Sequence, residues 1–283
     1  MKKILLTGST GFIGSQLLKK LSSNYKIYIT LRKKGKISYK NKNVIKILFN
    51  NYNQLNQKLK KIKIDYVIHC ATHYVKSHKF EDLDKLSESN ILFGNIILEN
   101  IGRMKVKKFI NFSSVWENFN GTKDNYFNLY SVYKRGFSNL LDYYKKNLPK
   151  IKFYNFFVSD TFGEFDTRPK IINILKNNYK KNKVSKIVSS KLHINLLNVR
   201  DIIEAVIVVF KKNNQPGDYN LVNTRNFSIN EIINTFNKNI KKRIKIKWIT
   251  NKLIKERIFK KNRLKGWSPK NSKIVDIINI IKR

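Results

Sequence analysis

Tyr130 and Lys134 lie four positions apart, and their residue types suit proton transfer. Residues at i and i+4 share one face of a helix, so the two side chains are expected to lie together. An ammonium group beside a phenol favours the phenolate and should lower the pKa of Tyr130. Such a tyrosine can exchange a proton with a substrate hydroxyl near neutral pH. The pair alone is weak evidence, because tyrosine and lysine are common in this chain.

A serine precedes this pair at the end of a predicted strand. Ser113 and Ser114 close the apolar run 109–112. Parallel sheets present their ligand-facing groups at the carboxyl ends of strands. We therefore expect the Ser114 hydroxyl to hold a substrate carbonyl oxygen while Tyr130 protonates it.

Three glycines follow the first predicted strand and open the first predicted helix, with Phe12 and Ile13 between the second and the third. Gly8 allows a tight turn, Gly11 allows close approach to a pyrophosphate, and Gly14 allows the helix to pack closely. The helix N-terminus then faces the phosphate charge. The spacing is GxxGxxG rather than GxGxxG. Its position at a strand–helix junction favours dinucleotide binding over a plain glycine-rich turn.

The end of the second predicted strand bears on which dinucleotide binds. NAD-binding domains usually place an acidic residue there to hold the ribose 2′-hydroxyl. Here the strand runs into Arg32, Lys33 and Lys34, and the first acidic residue of the chain is Asp65. The basic run suits a 2′-phosphate, so NADP(H) is favoured, while NAD(H) stays open because lysine is abundant throughout.

The elements that must position these residues follow from apolar periodicity. Strands are predicted at 4–6, 26–31, 44–49, 66–68, 109–112, 153–158 and 217–222, and helices at 13–21, 86–101, 130–144, 171–178, 202–210, 229–240 and 274–281. Strands that alternate with helices predict an α/β fold with a Rossmann-type, doubly wound parallel sheet. We expect a dinucleotide-binding domain over 1–158 and a smaller, mostly substrate-binding lobe over 159–283, with about 187–212 returning to the first domain.

Composition limits the other classes of function. The formal net charge of +41 fits either nucleic-acid binding or a composition biased toward lysine and asparagine. Because lysine is spread over the whole chain, we favour the bias and expect no specific nucleic-acid partner. Cys70 is the one cysteine, so no intramolecular disulfide can form. No metal site is expected, and neither a membrane span nor a signal peptide is predicted, so we expect a cytoplasmic protein.

Taken together, these motifs resemble the extended short-chain dehydrogenase/reductase family of nucleotide-sugar epimerases and dehydratases. The resemblance covers nearly the whole chain and rests on residues 7–14, 65–72, 108–114, 129–134, 199–201 and 265–269. It implies that Cys70, Ala71, Thr72 and Val158 contact the cofactor, with Tyr130 and Lys134, whose ammonium can hydrogen-bond the nicotinamide ribose. It also implies a homodimer formed by the helices around 86–101 and 130–144.

Departures from the family pattern narrow the reaction. Dehydratases of the family carry acidic residues directly after the catalytic serine or threonine, whereas this chain has Val115 and Trp116, and Glu117 comes one position later. The short loop before Tyr130 resembles the branch of CDP-abequose and CDP-paratose synthases, which reduce a 4-keto nucleotide sugar with NADPH.

The resemblance leaves the substrate and the exact reaction open. It implies that the nucleotide sugar contacts Thr72, His73, Trp116 and Arg168. A nucleotide-sugar 4-epimerase would use the same reactive residues, so it is retained as an alternative. A non-catalytic NADP-binding or RNA-binding protein is a further alternative, which the intact reactive residues disfavour.

Overall fold

Apolar strands alternate with amphipathic helices along the chain. The computed structural model describes residues 1–32, 35, 37 and 39–283. The strands in these residues are β1 (Lys3–Thr7), β2 (Lys26–Arg32), β3 (Val44–Phe49), β4 (Tyr66–His69), β5 (Lys108–Ser114), β6 (Lys152–Val158), β7 (Asp160–Phe162), β8 (Ser185–Ser189), β9 (Leu192–Ile194), β10 (Leu196–Asn198), β11 (Gly217–Leu221), β12 (Phe227–Ser228), β13 (Ile246–Thr250) and β14 (Ile254–Lys255). The helices are α1 (Phe12–Leu21), α2 (Tyr52–Lys60), α3 (Leu83–Ser87), α4 (Phe93–Asn100), α5 (Leu129–Asn147), α6 (Ile171–Lys180), α7 (Val199–Lys211), α8 (Ile229–Asn239) and α9 (Ile274–Lys282).

The central sheet is parallel throughout. In the part of the chain that the structure describes, seven strands lie in the order β3-β2-β1-β4-β5-β6-β11, and each neighbouring pair runs in the same direction. The strands are apolar because helices cover both faces of the sheet. β4 is buried along its whole length. The predicted Rossmann-type, doubly wound sheet is confirmed.

Two apolar clusters flank this sheet. One joins the sheet to α1 and α7, and the other joins it to α2, α4 and α5. β1 lies between β2 and β4. The crossover from β1 leads to β2 and the crossover from β4 leads to β5, so the chain leaves the carboxyl ends of these two neighbouring strands in opposite directions. This reversal opens a crevice at the carboxyl ends of the strands, where doubly wound sheets bind their ligands.

A third apolar cluster forms the lobe beyond the sheet. It packs α6, α8 and α9 together, next to the small sheets β10-β7, β12-β9-β14 and β13-β8. α7 packs against the central sheet, and β11 adds a strand at its edge beside β6. The division at residues 158 and 159 stays a prediction. Among the described residues, no helix is long and apolar enough to cross a membrane.

Candidate active site

The carboxyl ends of β1, β4, β5 and β6 surround one cavity of about 550 Å³. This volume lies in the range of small-molecule sites. Most of the residues selected from the sequence line it: Gly8, Gly11, Phe12, Ile13, Gly14, Arg32, Cys70, Ala71, Thr72, Ser114, Trp116, Tyr130, Val158 and Arg168. Lys134 and His73 do not line it. No group of acidic, histidine or cysteine residues that could hold a metal ion occurs in the described ranges.

The glycine turn after β1 forms a close-packed cradle in the wall of the cavity. Gly8 adopts a φ of +67°, which favours glycine, and a Cβ there would lie 2.6 Å from the Ala71 nitrogen. A Cβ on Gly14 would lie 2.1 Å from the Gly8 carbonyl oxygen. The Gly11 N–H donates to that same oxygen at 3.0 Å, and Gly11 is the N-cap of α1. The N-terminus of α1 therefore lines the cavity, and the first N–H groups of a helix, which have no partner within it, suit an anion site.

Two buried hydroxyls in the cavity wall also indicate a site for a polar ligand. Thr30 Oγ1 on β2 and Ser159 Oγ after β6 are buried, and neither has a hydrogen-bond partner among the described residues. Both residues line the cavity. Buried polar atoms without partners in the protein are expected to meet a ligand or water. Thr30 on β2 and Ser159 after β6 lie on opposite sides of the glycine cradle in the strand order, so the residues fit an extended dinucleotide.

The far end beside β2 and β3 is aromatic and carries a balanced charge pair. Phe49 and Phe93 stack with centroids 6.1 Å apart, and both line the cavity. The Arg32 guanidinium lies 2.8 Å from the Glu88 carboxylate and donates to the Tyr52 hydroxyl at 3.1 Å. Lys33 and Lys34, the other members of the predicted basic run, lie outside the described residues. Arg32 thus lines the cavity while paired with Glu88, an acid that the sequence did not predict at this site.

The reactive residues meet at the middle of the cavity. The Trp116 N–H donates to Ser114 Oγ at 3.2 Å, and a hydroxyl that accepts one bond can still donate another. The Thr72 side chain favours ionisation of the Tyr130 phenol and so acts to lower its pKa, and the Tyr74 ring packs edge-on against the Tyr130 ring with centroids 5.1 Å apart. Ser114 and Tyr130 therefore present two hydroxyls to the same cavity.

The pKa of Tyr130 differs from the expectation. Burial raises it to about 12, and the negative charge of Glu117 acts in the same direction. The expected lowering was wrong for this structure, because the loss of hydration outweighs the favourable contacts. Tyr130 is consequently a protonated phenol near neutral pH.

Lys134 lies behind the cavity wall on α5 and is almost fully buried. Burial lowers its pKa to about 8, which the negative charge of Glu117 partly opposes. The neighbouring Cys70 thiol has its pKa raised by burial. A lysine in this position keeps a charge near neutral pH and loses it in mildly alkaline solution.

Glu117 turns away from the cavity. Its carboxylate accepts from the Ser113 hydroxyl, from the Ser114 N–H at 3.3 Å and from the Ser138 hydroxyl at 3.2 Å. The capping box between Ser114 and Glu117 starts the 3-10 turn Val115–Gly121 and directs the carboxylate inward. It does not line the cavity.

The opposite end holds two basic residues that are already paired. The Lys170 ammonium lies 2.7 Å from the Asp160 carboxylate and 4.4 Å from the ring centroids of Tyr74 and Trp116. Asp160 and Lys170 were missed as site residues, because no local motif marks them.

Arg168, which was predicted, lines the same end of the cavity. Its guanidinium donates to both oxygens of Asp166 at 2.8 Å and stacks 4.4 Å from the Phe12 ring centroid. His73 lies off the cavity, with its Nε2 atom 3.9 Å from Asp82. Asn90 accepts from the Thr72 hydroxyl and the His73 N–H, and so fixes the turn after β4.

Comparisons with known proteins agree with this geometry. The family described as NAD dependent epimerase/dehydratase matches residues 4–222. CDP-abequose synthase from Yersinia pseudotuberculosis is 27% identical over 226 residues, in a match that covers 76% of this chain and 76% of that protein. The dTDP-D-glucose 4,6-dehydratase of Dictyostelium discoideum is 32% identical over 260 residues, in a match that covers 78% of this chain and 58% of that protein.

A solved structure shows the same fold. UDP-glucuronic acid 4-epimerase from Bacillus cereus, in complex with UDP-glucuronic acid and NAD, has a TM-score of 0.80 with this chain at 20% identity. The match covers 99% of both chains. The likeness extends over the small lobe as well as the central sheet.

Proposed function

The chain belongs to the NAD dependent epimerase/dehydratase family, and we propose that within it the protein is a nucleotide-sugar reductase. The proposed substrate is a 4-keto-deoxyhexose attached to a nucleoside diphosphate. Similarity to CDP-abequose synthases from two organisms supports this branch over others of the family. The observation that carries the proposal is the pairing of Ser114 with a protonated Tyr130 in the cavity that the glycine cradle closes.

The residues divide the work of a carbonyl reduction. The glycine cradle and the cavity wall would hold a reduced nicotinamide cofactor, whose chemistry would be the transfer of a hydride to the keto carbon of the sugar. Ser114 donates a hydrogen bond to the keto oxygen, and Tyr130 transfers its proton to that oxygen as negative charge develops there. Lys134 holds a positive charge behind Tyr130, which stabilises the phenolate that remains. The products are the 4-hydroxy sugar and the oxidised cofactor.

The position of Glu117 favours reduction over dehydration. By resemblance to the dehydratases of the family, dehydration needs an acidic residue directly after the catalytic serine or threonine to remove a sugar proton. Here Trp116 fills that part of the cavity wall, while Glu117 is hydrogen-bonded behind it. A carboxylate held by serines away from the cavity is unavailable to a substrate.

We also propose that the cofactor is NADP(H). Arg32 lies at the end of β2 and lines the cavity, where its charge would meet a 2′-phosphate. The Glu88 carboxylate already contacts this guanidinium. The 2′-phosphate would therefore have to displace Glu88 or share the Arg32 guanidinium with it. Because Arg32 is paired, the protein should prefer NADPH over NADH by a smaller affinity ratio than an unpaired arginine would produce.

The test is a reductase assay with matched tyrosine variants. Reduced cofactor is mixed with a panel of 4-keto nucleotide sugars, and its oxidation is followed together with product formation. Tyr130→Phe should lower turnover by about 10²–10⁴-fold with little change in cofactor affinity, because only the acid hydroxyl is removed. Tyr133 lies three residues after Tyr130 on α5 and does not line the cavity. Tyr133→Phe should therefore keep wild-type turnover.

The outcomes distinguish a reductase from an epimerase and test the assignment of the reactive residues. Cofactor consumption in step with product supports reduction, and Ser114→Ala should then lower the rate without unfolding the protein. Interconversion of two sugars without net consumption would assign the epimerase instead. If Tyr130→Phe kept wild-type turnover on a true substrate, the assignment of the reactive residues would be wrong.

A further inference from the structure

Glu117 is a fully buried carboxylate in a chain that is poor in acids. The sequence has 18 aspartates and glutamates against 59 lysines and arginines, and Glu117 is 0% exposed. A carboxylate without water is costly unless hydrogen bonds and an opposite charge replace hydration. The surroundings of Glu117 supply both.

Hydrogen bonds fix the Glu117 carboxylate between two elements of the site. The Ser113 hydroxyl and the Ser114 N–H belong to the end of β5, whereas Ser138 lies on α5, one turn after Lys134. The carboxylate thus joins the strand that carries Ser114 to the helix that carries Tyr130 and Lys134.

Lys134 has few other charged neighbours. Burial raises the pKa of the Cys70 thiol, so Cys70 is neutral at physiological pH. Burial lowers the pKa of His69, which lies on β4, to about 3, so that ring is neutral as well. Tyr130 on the same helix is protonated. Glu117 is therefore the acid that faces Lys134 among the described residues. Burial raises the pKa of Glu117 to about 7, and the charges of Lys134 and Arg135 oppose this rise, so the carboxylate is ionised at the pH at which Lys134 loses its proton.

We propose that Glu117 is the buried counter-ion of Lys134 and, through Lys134, a positioning residue for the reaction. The role of Lys134 rests on the proposed function, but the pairing of the two charges does not. The alternative is that Glu117 only caps the 3-10 turn after β5. A cap would affect folding, whereas a counter-ion must also set the pH at which Lys134 loses its proton.

The pH dependence of cofactor binding separates these roles. The dissociation constants of NADH and NADPH are measured by fluorescence from pH 6.5 to 10. The wild-type protein should bind more weakly as the pH rises through about 8, where Lys134 loses its proton. A carboxylate raises the pKa of a nearby lysine, so Glu117→Gln should move this midpoint down by about one unit or more, a tenfold change in proton affinity.

Two control variants keep the test specific. Glu117→Asp keeps the charge and should restore most of the wild-type midpoint. Ser138→Ala removes one of the hydrogen bonds to the Glu117 carboxylate and neither charge, so its midpoint should stay at the wild-type value. If Glu117→Gln folds and shows an unchanged midpoint, the proposal is overturned.

A stability measurement covers the case in which Glu117→Gln folds poorly. Denaturant midpoints are compared for Glu117→Gln, Lys134→Met and the double variant. Removing one member of a buried ion pair leaves an uncompensated charge, whereas removing both does not. The double variant should therefore be more stable than the sum of the single losses predicts. Additive losses would contradict the pairing, whatever reaction the enzyme catalyses.

Discussion

Gly14→Ala tests where the pyrophosphate of the cofactor lies. A Cβ at this position would approach the Gly8 carbonyl oxygen to 2.1 Å, while ordinary contact begins at 3.4 Å. The two backbone segments must therefore separate by about 1.3 Å, the difference between these distances. Neither segment ends in a flexible side chain that could yield, so the turn or the first turn of α1 must move.

The size of the effect follows from hydrogen-bond geometry. An N–H that lies about 2.9 Å from a phosphate oxygen no longer bonds it after a shift of about 1.3 Å. A hydrogen bond to a charged group is worth about 1.5–3 kcal/mol. Because about 1.4 kcal/mol corresponds to a tenfold change in affinity, Gly14→Ala should weaken cofactor binding by about tenfold to a hundredfold.

The assay is fluorescence titration of NADH and NADPH with protein whose fold is verified by circular dichroism. Gly102→Ala is the matched control, since its Cβ would meet only the Leu148 side chain at an ordinary 3.7 Å. The control should bind like the wild type. If folded Gly14→Ala bound either cofactor within about twofold of the wild-type affinity, the phosphate would not lie on this turn, and the cradle would be only a packing feature.

Three further predictions follow from charge and exposed surface. Glu88→Gln should raise the preference for NADPH over NADH by about two- to fivefold, because it frees Arg32 and an exposed ion pair contributes about this much. An unchanged ratio of the two dissociation constants would show that Arg32 and Glu88 do not contact the 2′ position of the ribose. Light scattering at micromolar concentration should give twice the chain mass of 33.5 kDa, since Leu92, Val132 and Tyr143 are exposed on the helices expected at the dimer interface; a single chain mass would contradict the homodimer. Any binding to duplex DNA should vanish at physiological salt, and retention with a sequence preference would show that the net charge of +41 has a specific role.

The sequence predicted the elements that are both long and strongly apolar. The strand expected at 44–49 is β3, and the helix expected at 130–144 is the centre of α5. Helix α2 was not predicted, because only Leu55 and Leu59 are buried in a segment otherwise rich in asparagine, glutamine and lysine. The short strands beyond residue 159, apart from β11, were also missed, since pairing partners far along the chain fix them rather than local periodicity.

The candidate site was predictable to the extent that motifs are local. The glycine turn and the Tyr130–Lys134 spacing each occupy one element, so the sequence places them with little ambiguity. Glu88 reaches Arg32 from a π-helical segment between α3 and α4, and Glu117 is turned inward by a 3-10 turn. Neither direction follows from spacing, because both depend on irregular helical geometry that the local pattern does not specify.

Acidic residues carry more information than basic residues in a chain of this composition. Lysine is so common that its presence beside a cavity needs no functional reason, whereas 18 acids among 283 residues are scarce. Yet each cation that lines the cavity in the described residues has a carboxylate partner. These pairs are Arg32 with Glu88, Arg168 with Asp166, and Lys170 with Asp160. A phosphate ligand must compete with these carboxylates, so backbone N–H groups of the glycine cradle should contribute more to its affinity than the surface charge does. The acids therefore define a cavity whose charges are balanced and positioned, which composition alone would not produce.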